Sequence, residues 1–253
     1  MTGDEYVESI LRKYAVLTGP YSKAEQTANA IAPSIRSWAD RYLTSLTFSG
    51  SYAKGTAISI ATDIDLFISL SSTTPGTLAD IYENLYKWAL TQGWGPQRQN
   101  VSIGISYNGA KIDLVPARLQ AGYQNYHSLY TFKRKSWTQT NVSLHIDTVS
   151  RSSRTKEIQA IKIWRTLNSL DFPSLNLELF VIDALKGKPT NQLATNVLHG
   201  LNTIASSLPF SRIVDPANTN NTVSDDLTIA EKFKIYAQAK ASASKPNWGQ
   251  IIW

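Results

Sequence analysis

Hydrophobic positions recur at helical spacing at the start of the chain, at strand spacing in its middle and at helical spacing again to its end. Val7, Ile10, Leu11 and Tyr14 predict a helix over residues 5–17, and Ala28, Ile31, Ile35 and Trp38 predict a second over residues 23–43. The period then shortens. Leu46-Thr47-Phe48 predicts a short strand, residues 63–70 alternate as a strand does, and residues 100–107 and 111–117 predict two more. Asn108-Gly109 joins the last two and suits the positive φ pair of a tight hairpin turn. Residues 77–91 return to helical spacing and run out at Gly93. Past Arg151 the strand signal fades, and helices are predicted over residues 156–169, 174–185, 193–206 and 224–243, separated by Asp171-Phe172-Pro173, Gly187-Lys188-Pro189 and residues 209–221. The pattern reads as an α+β chain. A mixed sheet with flanking helices occupies residues 1–150 and a helical domain residues 151–253, and with no long linker the two are expected to be bilobal around a central cleft.

Composition narrows the picture. With 253 residues, 42% of them hydrophobic, the chain can bury a sizeable core without covalent staples. Cysteine is absent, which excludes disulfides and thiolate metal sites and agrees with a cytoplasmic location. The opening MTGDEYVESILRKYAVL mixes charges into its apolar residues, unlike a signal peptide, and no run approaches a membrane span, so no membrane partner is expected. Without a secretory signal, the sequons at Asn100, Asn141 and Asn220 read as chance. A net charge of +6 and a pI of 9.4 suit an anionic partner such as a nucleotide or nucleic acid.

The chemistry gathers in Phe48-Ser49-Gly50-Ser51-Tyr52-Ala53-Lys54-Gly55-Thr56 and the following Asp63-Ile64-Asp65-Leu66-Phe67. Residues i and i+2 of a strand share a face, so Asp63 and Asp65 point together while Ile64 and Leu66 enter the core. Adjacent carboxylates repel and favour a divalent cation. Asp113, in Lys111-Ile112-Asp113-Leu114-Val115, repeats the apolar-Asp-apolar pattern and would complete the set from a neighbouring strand. Gly50 and Ser51 would open a turn where backbone N–H groups and a hydroxyl hold a terminal phosphate, with Lys54 and Thr56 adding charge or a hydroxyl. A Gly-Ser pair alone is usually a turn, and an Asp-x-Asp alone is often a solvated edge. In this order and on these strands they point to two-metal phosphoryl transfer.

These residues resemble the nucleotidyltransferase signature of the polymerase β superfamily, GSYAKGT with DIDLF carrying its first motif and KIDLVPA its third-carboxylate strand. Within it the chain looks most like the branch of archaeal-type CCA-adding enzymes, oligoadenylate synthetases, cyclic GMP-AMP synthase and the bacterial cyclic-oligonucleotide synthases (CD-NTases) of antiphage defence. Thr140 to Ile146 is similar to that branch's Thr-Asn-Pro…His stretch, with Val142 in the proline's place. Asp215-Pro216-Ala217-Asn218 resembles its DP-x-N loop, and residues 173–185 its second C-terminal helix. Lys162 falls where the branch has a helical lysine that contacts the triphosphate; without the resemblance it reads as a snorkelling surface lysine.

The resemblance implies a nucleotidyltransferase that uses nucleoside triphosphates, ATP first among them, with Mg2+ or alternatively Mn2+ on Asp63, Asp65 and Asp113. Its expected product is a cyclic di- or oligonucleotide second messenger, under a nucleic-acid or protein activator. Alternatives are transfer to an RNA 3′ end, transfer to a small-molecule or protein acceptor, and a non-catalytic nucleotide or RNA sensor. CCA addition fits less well because archaeal-type enzymes carry further tRNA-binding domains. His127, His145 and His199 are too scattered for a zinc site. Lys133-Arg134-Lys135 beside Trp137, after Tyr123, Tyr126, Tyr130 and Phe132, reads either as a nucleotide-facing surface or as a solvated basic loop over an aromatic core.

Overall fold

A computed structural model describes residues 1–61 and 63–253. In chain order its elements are α1 (Gly3–Lys13), α2 (Lys23–Ala39), β1 (Leu43–Phe48), α3 (Gly50–Ala53), β2 (Ile64–Leu70), α4 (Leu78–Thr91), β3 (Gln97–Arg98), β4 (Ile103–Tyr107) and β5 (Ala110–Leu119). There follow β6 (His127–Thr131), β7 (Ser136–Thr140), α5 (Val142–Ser150), α6 (Thr155–Leu167), α7 (Ser174–Ala184), α8 (Leu193–Ser207), β8 (Val214–Asp215), β9 (Asn218–Thr222) and α9 (Ile229–Ala243). Contacts divide the chain into two compact units, each assembled from separate stretches.

The sheet unit comprises Leu17–Ala53 and the described part of residues 62–146. Among the described residues its strands form a seven-stranded mixed sheet with the path β1-β2-β5-β4-β3, and β6 and β7 continue from β5. β2 and β5 run parallel, and the other pairs are antiparallel. Being central, β2 buries nearly every residue, whereas the outlying β7 buries only Thr140. Ile31 and Ile35 of α2 and Ile81, Tyr82 and Leu85 of α4 pack with Leu66, Ile68, Ile103, Ile112 and Leu114 in its core. Each such aliphatic side chain contributes roughly 2 kcal/mol. Asn108 and Gly109 adopt φ of 48° and 73°, the pair a two-residue hairpin turn between β4 and β5 needs. The same sheet also takes in the basic and aromatic segment 127–140 as the β6–β7 hairpin.

The helical unit comprises Met1–Val16, Lys54–Ala61 and Asp147–Trp253. Thr2 and Glu5 form a capping box on α1, and the helix ends at Lys13 where the pattern predicted residue 17. Its buried Val7 and Ile10 join Ile161, Trp164, Leu177, Val181, Leu201 and Ile204 in a core drawn from α6, α7 and α8. A second helix predicted to reach residue 43 stops at Ala39, since Asp40 takes φ of 48° and Leu43 already belongs to β1. The helix predicted from residue 224 begins at Ile229, where Thr228 and Glu231 supply another capping box. Before it, β8 and β9 form a two-stranded ribbon in the stretch predicted as a loop. Asp215 shapes its turn by accepting from the Ala217 N–H at 2.8 Å and the Asn221 amide at 3.1 Å. Among the described residues no helix is long and apolar enough to cross a membrane.

Candidate active site

The carboxylates are positioned by the pairing of β2 with β5. In that parallel register Asp65 lies directly opposite Asp113, with Ile64 opposite Ile112 and Leu66 opposite Leu114. The flanking aliphatics are buried on the core face, which places both acids on the other face. Asp63 is exposed one residue before β2 begins, and its charge reaches Asp113. Burial raises the Asp113 carboxyl to about 6, the charges of Asp65 and Asp63 add to the rise, and a hydrogen bond from Gln99 opposes it.

Gly50 closes the site from the β1 side. The Ser49 N–H donates to the Asp65 carbonyl at 2.9 Å, after which Gly50 opens α3 with φ of +57°. A Cβ on Gly50 would stand 1.7 Å from Asp65 Oδ2, so glycine is required twice, for its conformation and for its missing side chain. Ser51 follows in the same short turn, half-buried.

Lys54, Thr56 and Lys162 come together elsewhere, in the helical unit, on a residue the sequence reading missed. Glu178 Oε2 accepts from Lys54 at 2.5 Å, while Oε1 accepts from Thr56 at 2.7 Å and Lys162 at 2.6 Å. Lys162 also donates to the Thr56 hydroxyl at 2.8 Å. The Lys162 side chain is 1% exposed, which removes the snorkelling reading. Burial lowers its ammonium to about 8 against the pull of Glu178. Burial would raise Glu178, but Lys54 and Lys162 outweigh it and hold the carboxyl below its ordinary value. Only the apolar pattern around Leu175-Asn176-Leu177-Glu178-Leu179, where an acid breaks a buried helix face, could have flagged Glu178.

Gln99 is the second residue missed. Its amide donates to Asp113 Oδ1 at 2.7 Å, and nothing in a lone glutamine on a loop signals that role. His145 heads no histidine cluster; its N–H donates to the Asn141 carbonyl within α5, whose start is capped by Asn141 Oδ1 through the Leu144 N–H at 3.0 Å.

Among the described residues no group of three or more Asp, Glu, His or Cys side chains is placed to hold a metal ion. The donor set nonetheless fits magnesium, which takes oxygen ligands, commonly one or two carboxylates, and completes its octahedron with water and substrate phosphates. A like-charged pair with a raised carboxyl is the environment that a divalent cation relieves.

No protein-family model matches the chain. A curated relative, the cyclic AMP-AMP-AMP synthase of Escherichia coli (strain MS 115-1), is 26% identical over 155 residues, covering 55% of this chain and 48% of the relative. The chain thus spans about half the length of that protein. Among solved structures, E. coli MS115-1 CdnC with ATP superposes with a TM-score of 0.76 at 19% identity, covering 98% of this chain and 96% of that one. Bradyrhizobium diazoefficiens CD-NTase CdnG in complex with GTP gives 0.80 at 14% identity, covering 96% and 90%. The chain therefore has the polymerase β-like nucleotidyltransferase fold, in the form taken by the bacterial CD-NTases that its motifs resemble.

Proposed function

We propose that the chain is a nucleotidyltransferase that joins nucleoside triphosphates into a cyclic oligonucleotide second messenger. The observation that carries this is the in-register pair Asp65 and Asp113 on parallel strands, with Gly50 held against Asp65. The curated relative's activity, as its name states it, supports a cyclic product and ATP as a substrate.

In the proposed reaction a ribose hydroxyl of one nucleotide attacks the α-phosphorus of another. The new P–O bond forms as the bond to the β-phosphate's bridging oxygen breaks, and pyrophosphate leaves with that electron pair. Asp113 helps activate the attacking hydroxyl, placed for it by its position opposite Asp65 on the adjoining strand. The turn at Gly50 and Ser51 holds the donor phosphates through backbone N–H groups and the hydroxyl. Asp63, Asp65 and Asp113 would hold Mg2+, which when bound neutralises phosphate charge and lowers the pKa of the attacking hydroxyl. A phosphate-neutralising role for Lys162 rests on the resemblance alone, since its buried ammonium is bonded to Glu178 and Thr56.

The test is incubation of the purified protein with all four radiolabelled ribonucleoside triphosphates and Mg2+ or Mn2+. A phosphatase-resistant product of cyclic mass is expected. Nucleotide binding with no transfer to nucleotide, RNA, protein or small acceptors, with candidate activators present, would sink the proposal in favour of a sensor.

A further inference from the structure

The loop between β3 and β4 carries a polar arrangement that the proposed reaction does not by itself explain. Gln99 is exposed, yet every one of its hydrogen-bonding groups is engaged. Its backbone N–H donates to the Ser102 carbonyl at 3.0 Å, and its carbonyl accepts from the Tyr82 hydroxyl at 2.7 Å. The Ser102 hydroxyl donates to Gln99 Oε1 at 2.9 Å, which turns the amide NH2 outward, and that NH2 donates to Asp113 Oδ1 at 2.7 Å. The two supports are themselves fixed, since Tyr82 and Ser102 are buried. The one Tyr82 proton is shared with the Ser102 carbonyl at 3.1 Å, tying the loop's two ends together.

Gly104 makes room for this contact. It lies opposite Asp113 in the β4–β5 register, and a Cβ there would stand 2.7 Å from Gln99 Nε2 and 3.2 Å from Asp113 Oδ1. No positive φ demands glycine at this position, so the open space is what the missing side chain provides. An exposed long side chain ordinarily samples several rotamers; here two side-chain hydrogen bonds and a glycine notch select one, on a backbone that two more hold in place.

We propose that Gln99 is a positioning residue for the third carboxylate: it occupies Asp113 Oδ1 and fixes the carboxylate plane, which would leave Oδ2 for the acceptor hydroxyl or a bound cation. This rests on the nucleotidyltransferase reading above. A partner that orients a metal-ligating carboxylate typically changes metal affinity or activity by about 10- to 100-fold when it is lost.

The experiment compares wild type with Gln99→Leu, Gln99→Glu, Gly104→Ala and Asp113→Asn. It measures pyrophosphate release from nucleoside triphosphates, Mn2+ affinity without nucleotide, and Tm. Gln99→Leu should lower kcat about tenfold and weaken Mn2+ binding several-fold, with the nucleotide KM and Tm little changed because the side chain is exposed. Gln99→Glu keeps the shape and removes the donor, and should lose at least as much. Gly104→Ala should reproduce the defect from the other side of the same hydrogen bond. A Gln99→Leu kcat loss smaller than about fivefold, against an inactive Asp113→Asn, overturns the positioning role and leaves the reaction standing. Full turnover by Asp113→Asn overturns the reaction and the positioning role together.

Discussion

Asp113 in the sheet unit and Glu178 in the helical unit are both carboxyls removed largely from water, and burial alone would raise both. Their neighbours separate them. Asp113 meets the charges of Asp65 and Asp63 and one neutral amide, and rises to about 6. Glu178 meets two ammoniums and a hydroxyl, and is held below its ordinary value. The difference teaches that the sign of the surroundings, more than depth, decides whether a buried acid is a fixed joint or a group ready to exchange a proton or take a cation. Glu178 binds the 54–61 segment to α6 and α7, helped by Gln159, whose amide donates to the carbonyls of Gly55 and Ala57.

The largest effect that could break this contrast is on turnover. Asp65→Asn or Asp113→Asn should lower kcat on the order of a thousandfold, about 4 kcal/mol of transition-state stabilisation, in a protein that still melts cooperatively. A loss of a few-fold in either would take that residue out of the chemistry. Next, Glu178→Gln should lower unfolding stability by about 3 kcal/mol in urea titrations, because two buried ammoniums lose their shared carboxylate. Stability equal to wild type would show that the cluster is not a joint. Gly50→Ala comes third, at about 2 kcal/mol, since it combines a positive φ with a Cβ against Asp65. It should also displace Asp65 and depress turnover, and a neutral Ala variant would contradict the close approach.

The smallest effect is on pH dependence without metal. A carboxyl raised in the folded state binds its proton more tightly there than in the unfolded chain, so its stabilisation is full below the unfolded pKa and declines as pH rises through about 6. Asp113→Asn should therefore gain stability relative to wild type from pH 4 to 7, by about 1 kcal/mol after solvent screening. Glu178 has the opposite sign: its depressed pKa contributes stability above the unfolded value that is lost on acidification. A gap between Asp113→Asn and wild type that stays flat over this range would mean that neither burial nor the neighbouring acids raise the Asp113 carboxyl.

Local signals carried much of the architecture. β2, the β4–β5 hairpin and the helix at Leu78–Thr91 follow from alternation, an Asn-Gly turn and a Thr77–Asp80 capping box, all readable within a few residues. β6 and β7 were not read as a hairpin because their turn places Lys135 at φ of 48°, where a glycine or asparagine would have announced it. The placement of Asp65 and Asp113 on one face of the sheet is legible because each sits between aliphatics that fix its face. Gln99 and Glu178 were not, since each draws its role from partners distant in sequence: Asp113 in one case, Lys54 and Thr56 in the other. Lys54 and Thr56 were read as phosphate-pocket residues from adjacency to Gly50, but their side-chain groups end on Glu178.

The stitching of the two units has a consequence for synthesis on the ribosome. The sheet unit is complete once Ile146 has emerged, and can fold while translation continues. The first helix cannot find its place then. Asp4 caps the Ala194 N–H at 2.7 Å and the Tyr6 hydroxyl donates to the Ile252 carbonyl at 3.0 Å, so α1 must wait for partners 190 and 246 positions further along the chain. During that interval Val7 and Ile10 lack the core they later fill, and α1 carries its apolar face uncovered until α6, α7 and α8 are in place.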